Sequence, residues 1–118
     1  MMFFRKKKLN EQHEKYLQGK KWKRVYEVGY DRKNKSPIFE ELTYDFFARN
    51  LGWEWMFDCQ MRKRTISIAV SSSFYEFGVL DWETNCWEWE YFDSQEELLS
   101  NARIDGKTIR EIWEELEN

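Results

Sequence analysis

Apolar and polar positions change their period several times along this chain. Residues 6–19 (KKKLNEQHEKYLQG) carry a weak helical period that ends at Gly19. Residues 22–30 (WKRVYEVGY) are rich in β-branched and aromatic side chains and predict a strand. Asp31 to Lys35 is a polar turn. The period then returns to that of a helix. Ser36 is placed to cap it, Pro37 suits a first helical position, and Ile38, Phe39, Leu42, Phe46 and Phe47 form its apolar stripe up to a stop at Gly52.

Alternation dominates the next forty residues or so and predicts strands over 53–61, 65–71, 74–82 and 86–92. In the first of these Trp53, Trp55, Phe57 and Cys59 share one face. Ser94-Gln-Glu-Glu97 is a capping box opening a helix, and Thr108-Ile-Arg-Glu111 is a second. After it Ile109, Ile112, Trp113 and Leu116 recur at helical spacing, so that Trp113 would clamp a final helix onto the body. The order α-β-α-β-β-β-β-α-α predicts an α+β fold, one domain over 1–118, with an antiparallel sheet of about five strands flanked by helices.

The parity of the 86–92 segment, CWEWEYF, assigns its faces. Tyr75, Phe77 and Val79 are apolar at odd numbers, and so are the aromatics Trp87, Trp89 and Tyr91. Both sets are assigned to the core face, so opposed residues must sum to an even number, which requires a connection of three or five residues centred on Thr84. Val79 would then oppose Trp89, and Phe77 would oppose Tyr91. The other face would hold Glu76, Leu80, Trp82, Glu88, Glu90 and Phe92.

Composition adds to this picture. A chain of 118 residues is long enough for one core, and its 19% aromatic content argues for a folded globule. Its apolar runs fall well short of the roughly 20 residues that cross a bilayer. MMFFRKKK has its apolar residues before its charges, the reverse of a secretory signal, and there are two cysteines, Cys59 and Cys86. Both features predict a reduced, cytoplasmic protein. The net charge of −3 conceals an asymmetry: residues 1–64 balance at +7, whereas residues 65–102 hold eight carboxylates and no Lys or Arg.

Several chemistries are disfavoured. His13 is the sole histidine and the cysteines are far apart, so no metal ligand set is predicted. Ser71-Ser72-Ser73 lacks a glycine elbow. Asp105-Gly-Lys-Thr108 resembles the end of a phosphate-binding loop, but Asn101 stands where that motif needs glycine, and a turn followed by a cap is the simpler reading. Paired carboxylates such as Glu88 with Glu90 lack a recognisable cleft. No catalytic residue, cofactor or metal is predicted.

Two binding readings remain. RKKK, KKWKR and RKNK interleave with Trp22, Tyr26 and Tyr30, a pattern suited to single-stranded nucleic acid, with Lys20, Lys21, Lys23 and Arg24 as its phosphate contacts. The acidic aromatic stretch 74–93 suits a cationic protein instead, because aromatics supply contact area and carboxylates steer association. On this second reading Glu76, Asp81, Trp82, Glu83, Glu88, Glu90 and Asp93 form the contact surface.

The segment FGVLDWETNCWEWEYFDSQEELLSNA and the ending RIDGKTIREIWEELE resemble bacterial toxin-immunity proteins, in particular those of contact-dependent growth inhibition systems, over residues 74–117. The resemblance implies a non-enzymatic protein that binds a cognate basic toxin domain, an RNase or DNase, in a 1:1 complex and occludes it. It implies neither a membrane partner nor direct nucleic-acid binding.

Overall fold

A computed structural model describes residues 22–118, which divide into two compact units: the residues up to Leu42 together with Asn118, and Thr43–Glu117. The helix predicted over 6–19 lies outside the described residues, as do Lys20 and Lys21. The predicted α+β class holds, and pairing is antiparallel in both units, but in two sheets of two and four strands in place of one of about five.

In the first unit, β1 (Val25–Asp31) and β2 (Ser36–Glu41) form an antiparallel hairpin. The β2 segment corrects the predicted helix. Its side chains alternate, with Phe39 buried between exposed Ile38 and Glu40, so the apolar positions that fit a helical stripe serve a strand equally well. Proline is tolerated because every strand of a two-stranded sheet is an edge, with a side that needs no donor. Asn118 closes this unit: Val25 N–H donates to its Oδ1 at 2.9 Å and its Nδ2 donates to the Val25 carbonyl at 2.9 Å. Arg24, placed by the sequence in a phosphate-binding patch, is buried with 6% exposure.

The second unit opens with α1 (Tyr44–Arg49), capped by Thr43, whose hydroxyl accepts from Phe46 N–H. The predicted apolar stripe therefore becomes helical only from here. A four-stranded antiparallel sheet follows in chain order: β3 (Trp55–Cys59), β4 (Arg64–Val70), β5 (Tyr75–Asp81) and β6 (Cys86–Phe92). After it, α2 (Gln95–Asn101) is capped by Ser94 as predicted.

The last predicted helix is replaced by turns and a 3₁₀ segment, Trp113–Glu115. Its capping box forms, with Glu111 N–H donating to Thr108 Oγ1 and Thr108 N–H to Glu111 Oε1. Ile109, Ile112, Trp113 and Leu116 are all buried, so the predicted face is right and the backbone type is not. Helical geometry cannot continue because Glu117 leaves to exchange backbone hydrogen bonds with Asp58 of β3, at 2.8 and 2.9 Å. Asp105-Gly106 is a tight turn with both φ values positive, at 52° and 80°, and not a phosphate loop.

The core of this unit lies on the sheet face of Trp55, Phe57, Ile66, Ile68 and Phe77. Phe47 of α1 sits in an aromatic cluster there, with ring centroids 5.7 Å from Trp55, 5.5 Å from Phe57 and 5.1 Å from Trp113. α2 packs on β5 and β6 and buries Leu98.

The β5–β6 register overturns the predicted faces. Val79 opposes Glu88, Phe77 opposes Glu90, Gly78 opposes Trp89 and Leu80 opposes Trp87. The connection, Trp82 to Asn85, has an even number of residues, and Asn85 is in the left-handed region at φ 57°. That extra left-handed residue shifts β6 by one place, and a one-place shift exchanges its two faces. Trp87, Trp89 and Tyr91 therefore leave the core face: Trp87 is half-buried, while Trp89 and Tyr91 are 44% and 58% exposed. The β1–β2 and β3–β4 turns end the same way, with Lys35 at φ 51° and Lys63 at φ 54°.

Candidate functional site

The β5–β6 hairpin carries the residues singled out in the sequence, but not as one face. Asp81, Trp82 and Glu83 lie at its turn and engage the neighbouring β3–β4 turn. Asp81 Oδ1 accepts from Glu83 N–H at 2.9 Å, and its Oδ2 lies 3.8 Å from Arg64 Nη2. Glu83 lies 3.9 Å from Lys63 Nζ. Trp82 Nε1 donates to Thr65 Oγ1 at 2.8 Å, and that hydroxyl donates to Asp58 Oδ1 at 2.8 Å. Two of the local carboxylates, Asp81 and Glu83, are thus matched in space by cations that precede them in sequence.

The adjacent basic residues are consumed as well. Arg62 grips Glu115 through Nε at 2.7 Å and Nη2 at 3.2 Å, and reaches Asp105 at 3.2 Å. These bonds hold the Glu115 carboxyl below the usual carboxylate range and push the Arg62 guanidinium further up. Cys59, buried beside Glu115, has its thiol pushed up first of all by burial. The ion-pair group is a structural clamp between β3–β4 and the C-terminal turns.

Asp93 stands at the far end of β6, where its N–H donates to Glu97 Oε2. It borders an open hollow lined by Tyr75, Ser94, Gln95, Glu96 and Leu99.

Glu76, Glu88 and Glu90 are different. None of the three has an ion pair among the described residues. Glu88 and Glu90 project from β6 on the side of Phe77 and Val79, yet both are exposed because β6 is the margin of the sheet. Glu76 projects on the other side, opposite Tyr91.

That other side holds what the sequence reading missed. Trp87 and Trp89 stack with centroids 5.1 Å apart and planes 17° from parallel. Tyr91 meets Phe74 edge-on at 5.2 Å. Trp89 lies over Gly78, where an added Cβ would come within 2.7 Å of its ring. Glycine is required there for the indole to lie flat on the strand. The sequence signal for this surface is the repeated turn grammar, an Asp followed by a four-residue loop in both Asp31–Ser36 and Asp81–Cys86. With that grammar the even loop, and hence the exposed aromatics, follows.

Aromatic area and carboxylates occupy opposite faces of one marginal strand, and among the described residues β6 is hydrogen-bonded to β5 alone. Among the described residues no cluster of His, Cys, Asp and Glu could hold a metal ion, and no helix is long and apolar enough to cross a membrane. No protein-family model, curated protein or solved structure matches the chain.

Proposed function

We propose that this protein is a non-enzymatic inhibitor of the immunity type, which binds a cognate basic toxin domain 1:1 in the cytoplasm and occludes it. The toxin class that fits is a nuclease delivered by a contact-dependent growth inhibition system. The observation that carries the reading is β6: exposed Trp89 and Tyr91 on one face, and on the other exposed Glu88 and Glu90, which have no ion pair among the described residues. Large rigid aromatics supply contact area at small entropic cost, and exposed carboxylates raise the rate of encounter with a cationic surface. The same anions mimic the charge of a nucleic-acid backbone, which a nuclease already recognises. The contact set is accordingly redrawn. Glu76, Glu88 and Glu90 are retained, Trp87, Trp89, Tyr91 and Phe74 are added, Asp81, Trp82 and Glu83 are assigned to the hairpin's own turn, and Asp93, bonded to Glu97 at the far end of β6, is left out.

The test begins with the gene neighbourhood: where a large secreted protein is encoded directly before this chain, its C-terminal domain is co-expressed with the chain in bacteria. Growth restored by the chain, and lost again with Glu88→Lys, Glu90→Lys and Trp89→Ala combined, supports the reading. Unrestored growth with both proteins present at equal levels rejects it.

A further inference from the structure

The two margins of the four-stranded sheet are treated differently. On the β3 side, Asp58 and Glu117 exchange both backbone hydrogen bonds, so the C-terminal chain pairs with that edge at Asp58. On the β6 side, among the described residues, every ladder bond goes inward to β5 and nothing pairs with the outer groups of the strand. An uncovered strand of this length is a template for another strand. Charges placed on the core side of a marginal strand are a known defence against such pairing, and Glu88 and Glu90 occupy that position.

The charges also select the occupant. A second copy adding through the same edge about a twofold axis would keep each face continuous. It would therefore set Glu88 and Glu90 against the same glutamates, and like charges directly opposed are destabilising. A cationic strand meets the reverse situation.

We infer that β6 accepts an extended segment of a cationic partner as an added strand, through its backbone edge. The inference rests on the partner-binding reading above and specifies how that partner is gripped. Alternation dictates the segment's pattern. Side chains on the side of Glu88 and Glu90 are Lys or Arg, and those on the other side are apolar or aromatic, packing on Trp87, Trp89 and Tyr91. Backbone bonds supply affinity, and the two faces of β6 supply register.

The experiment uses the full chain, isotope-labelled, with amide hydrogen exchange read by NMR. The probe is a capped peptide alternating lysine and valine. The comparisons are the same peptide methylated on every backbone nitrogen, and a peptide alternating glutamate and valine. Addition of the lysine peptide slows exchange at alternate β6 amides by about tenfold or more near saturation, and the methylated peptide has no such effect. In the variant E88K/E90K the preference switches to the glutamate peptide. Equal binding of the methylated peptide, protection elsewhere on the chain, or no β6 protection up to the solubility of the lysine peptide overturns strand addition. So does concentration-dependent β6 protection without any peptide, which would identify a second copy as the occupant. Growth rescue is scored separately. A chain that rescues but ignores the lysine peptide keeps the inhibitor role and loses the strand, and one that takes the peptide but never rescues keeps the strand and loses the toxin.

Discussion

The indole of Trp89 lies flat on Gly78, so closely that a side-chain carbon at residue 78 would come within 2.7 Å of the ring. One opposed pair thus explains why a tryptophan stands on an exposed strand face and why a glycine stands in the middle of β5. Trp87 stacks on the same ring and extends the platform.

Gly78→Val should push Trp89 off the strand at a cost of about 1–3 kcal/mol, the range for forced overpacking. Trp89→Ala in the same background should recover most of that loss. Urea unfolding of the two single variants and the double variant measures the coupling, and additive losses would show that the two residues do not bear on each other.

Thr65 is 2% exposed and its hydroxyl links Trp82 Nε1 to Asp58. Thr65→Val leaves the Trp82 donor and an Asp58 oxygen without this partner and should cost about 1–3 kcal/mol. Thr65→Ser retains the hydroxyl and should cost clearly less in the same denaturation assay.

Phe47 is fully buried among Trp55, Phe57 and Trp113. Phe47→Ala should destabilise by about 3–5 kcal/mol. The position of Trp89 on an exposed face predicts a smaller loss for Trp89→Ala than a core tryptophan would give, while partner affinity falls about tenfold or more. Glu88→Lys with Glu90→Lys should leave stability within about 0.5 kcal/mol for each change and slow association instead, with a weaker dependence on salt.

Glu115 has its carboxyl held below the usual range, mainly by hydrogen bonds from Arg62. A depressed carboxylate contributes stability that is complete above the unfolded value of about 4.3 and lost as pH falls through the lower folded value. The unfolding midpoint should therefore drop between neutral pH and pH of about 3, and Glu115→Gln should flatten that drop while lowering the midpoint at neutral pH. Equal acid sensitivity in the two proteins would remove Glu115 from the account.

Cys86 is exposed, whereas Cys59 is fully buried with its thiol pushed up by burial. Alkylation of the native protein should label Cys86 alone, and mass spectrometry after denaturation should find both. Fast native labelling of Cys59 would show that the β3 margin opens readily.

The sequence alone determined the positions of the four sheet strands, the Ser94 cap, the Thr108–Glu111 capping box, and the buried set Ile109, Ile112, Trp113 and Leu116. Each depends on local pattern: alternation, a hydroxyl three residues before a carboxylate, or apolar recurrence. Tertiary structure decided the rest. Ser36–Glu41 became a strand because β1 offers hydrogen bonds, a partner that an apolar stripe does not reveal. The C-terminal segment became 3₁₀ because Glu117 pairs with Asp58 and Glu115 is held by Arg62, contacts distant in sequence. The faces of β6 turned on one dihedral, the left-handed Asn85. Period-two alternation fixes which side chains share a face, and not which face meets the core; the turn makes that choice. Trp87, Trp89 and Tyr91 could be grouped from sequence, but only the register placed them on the outside.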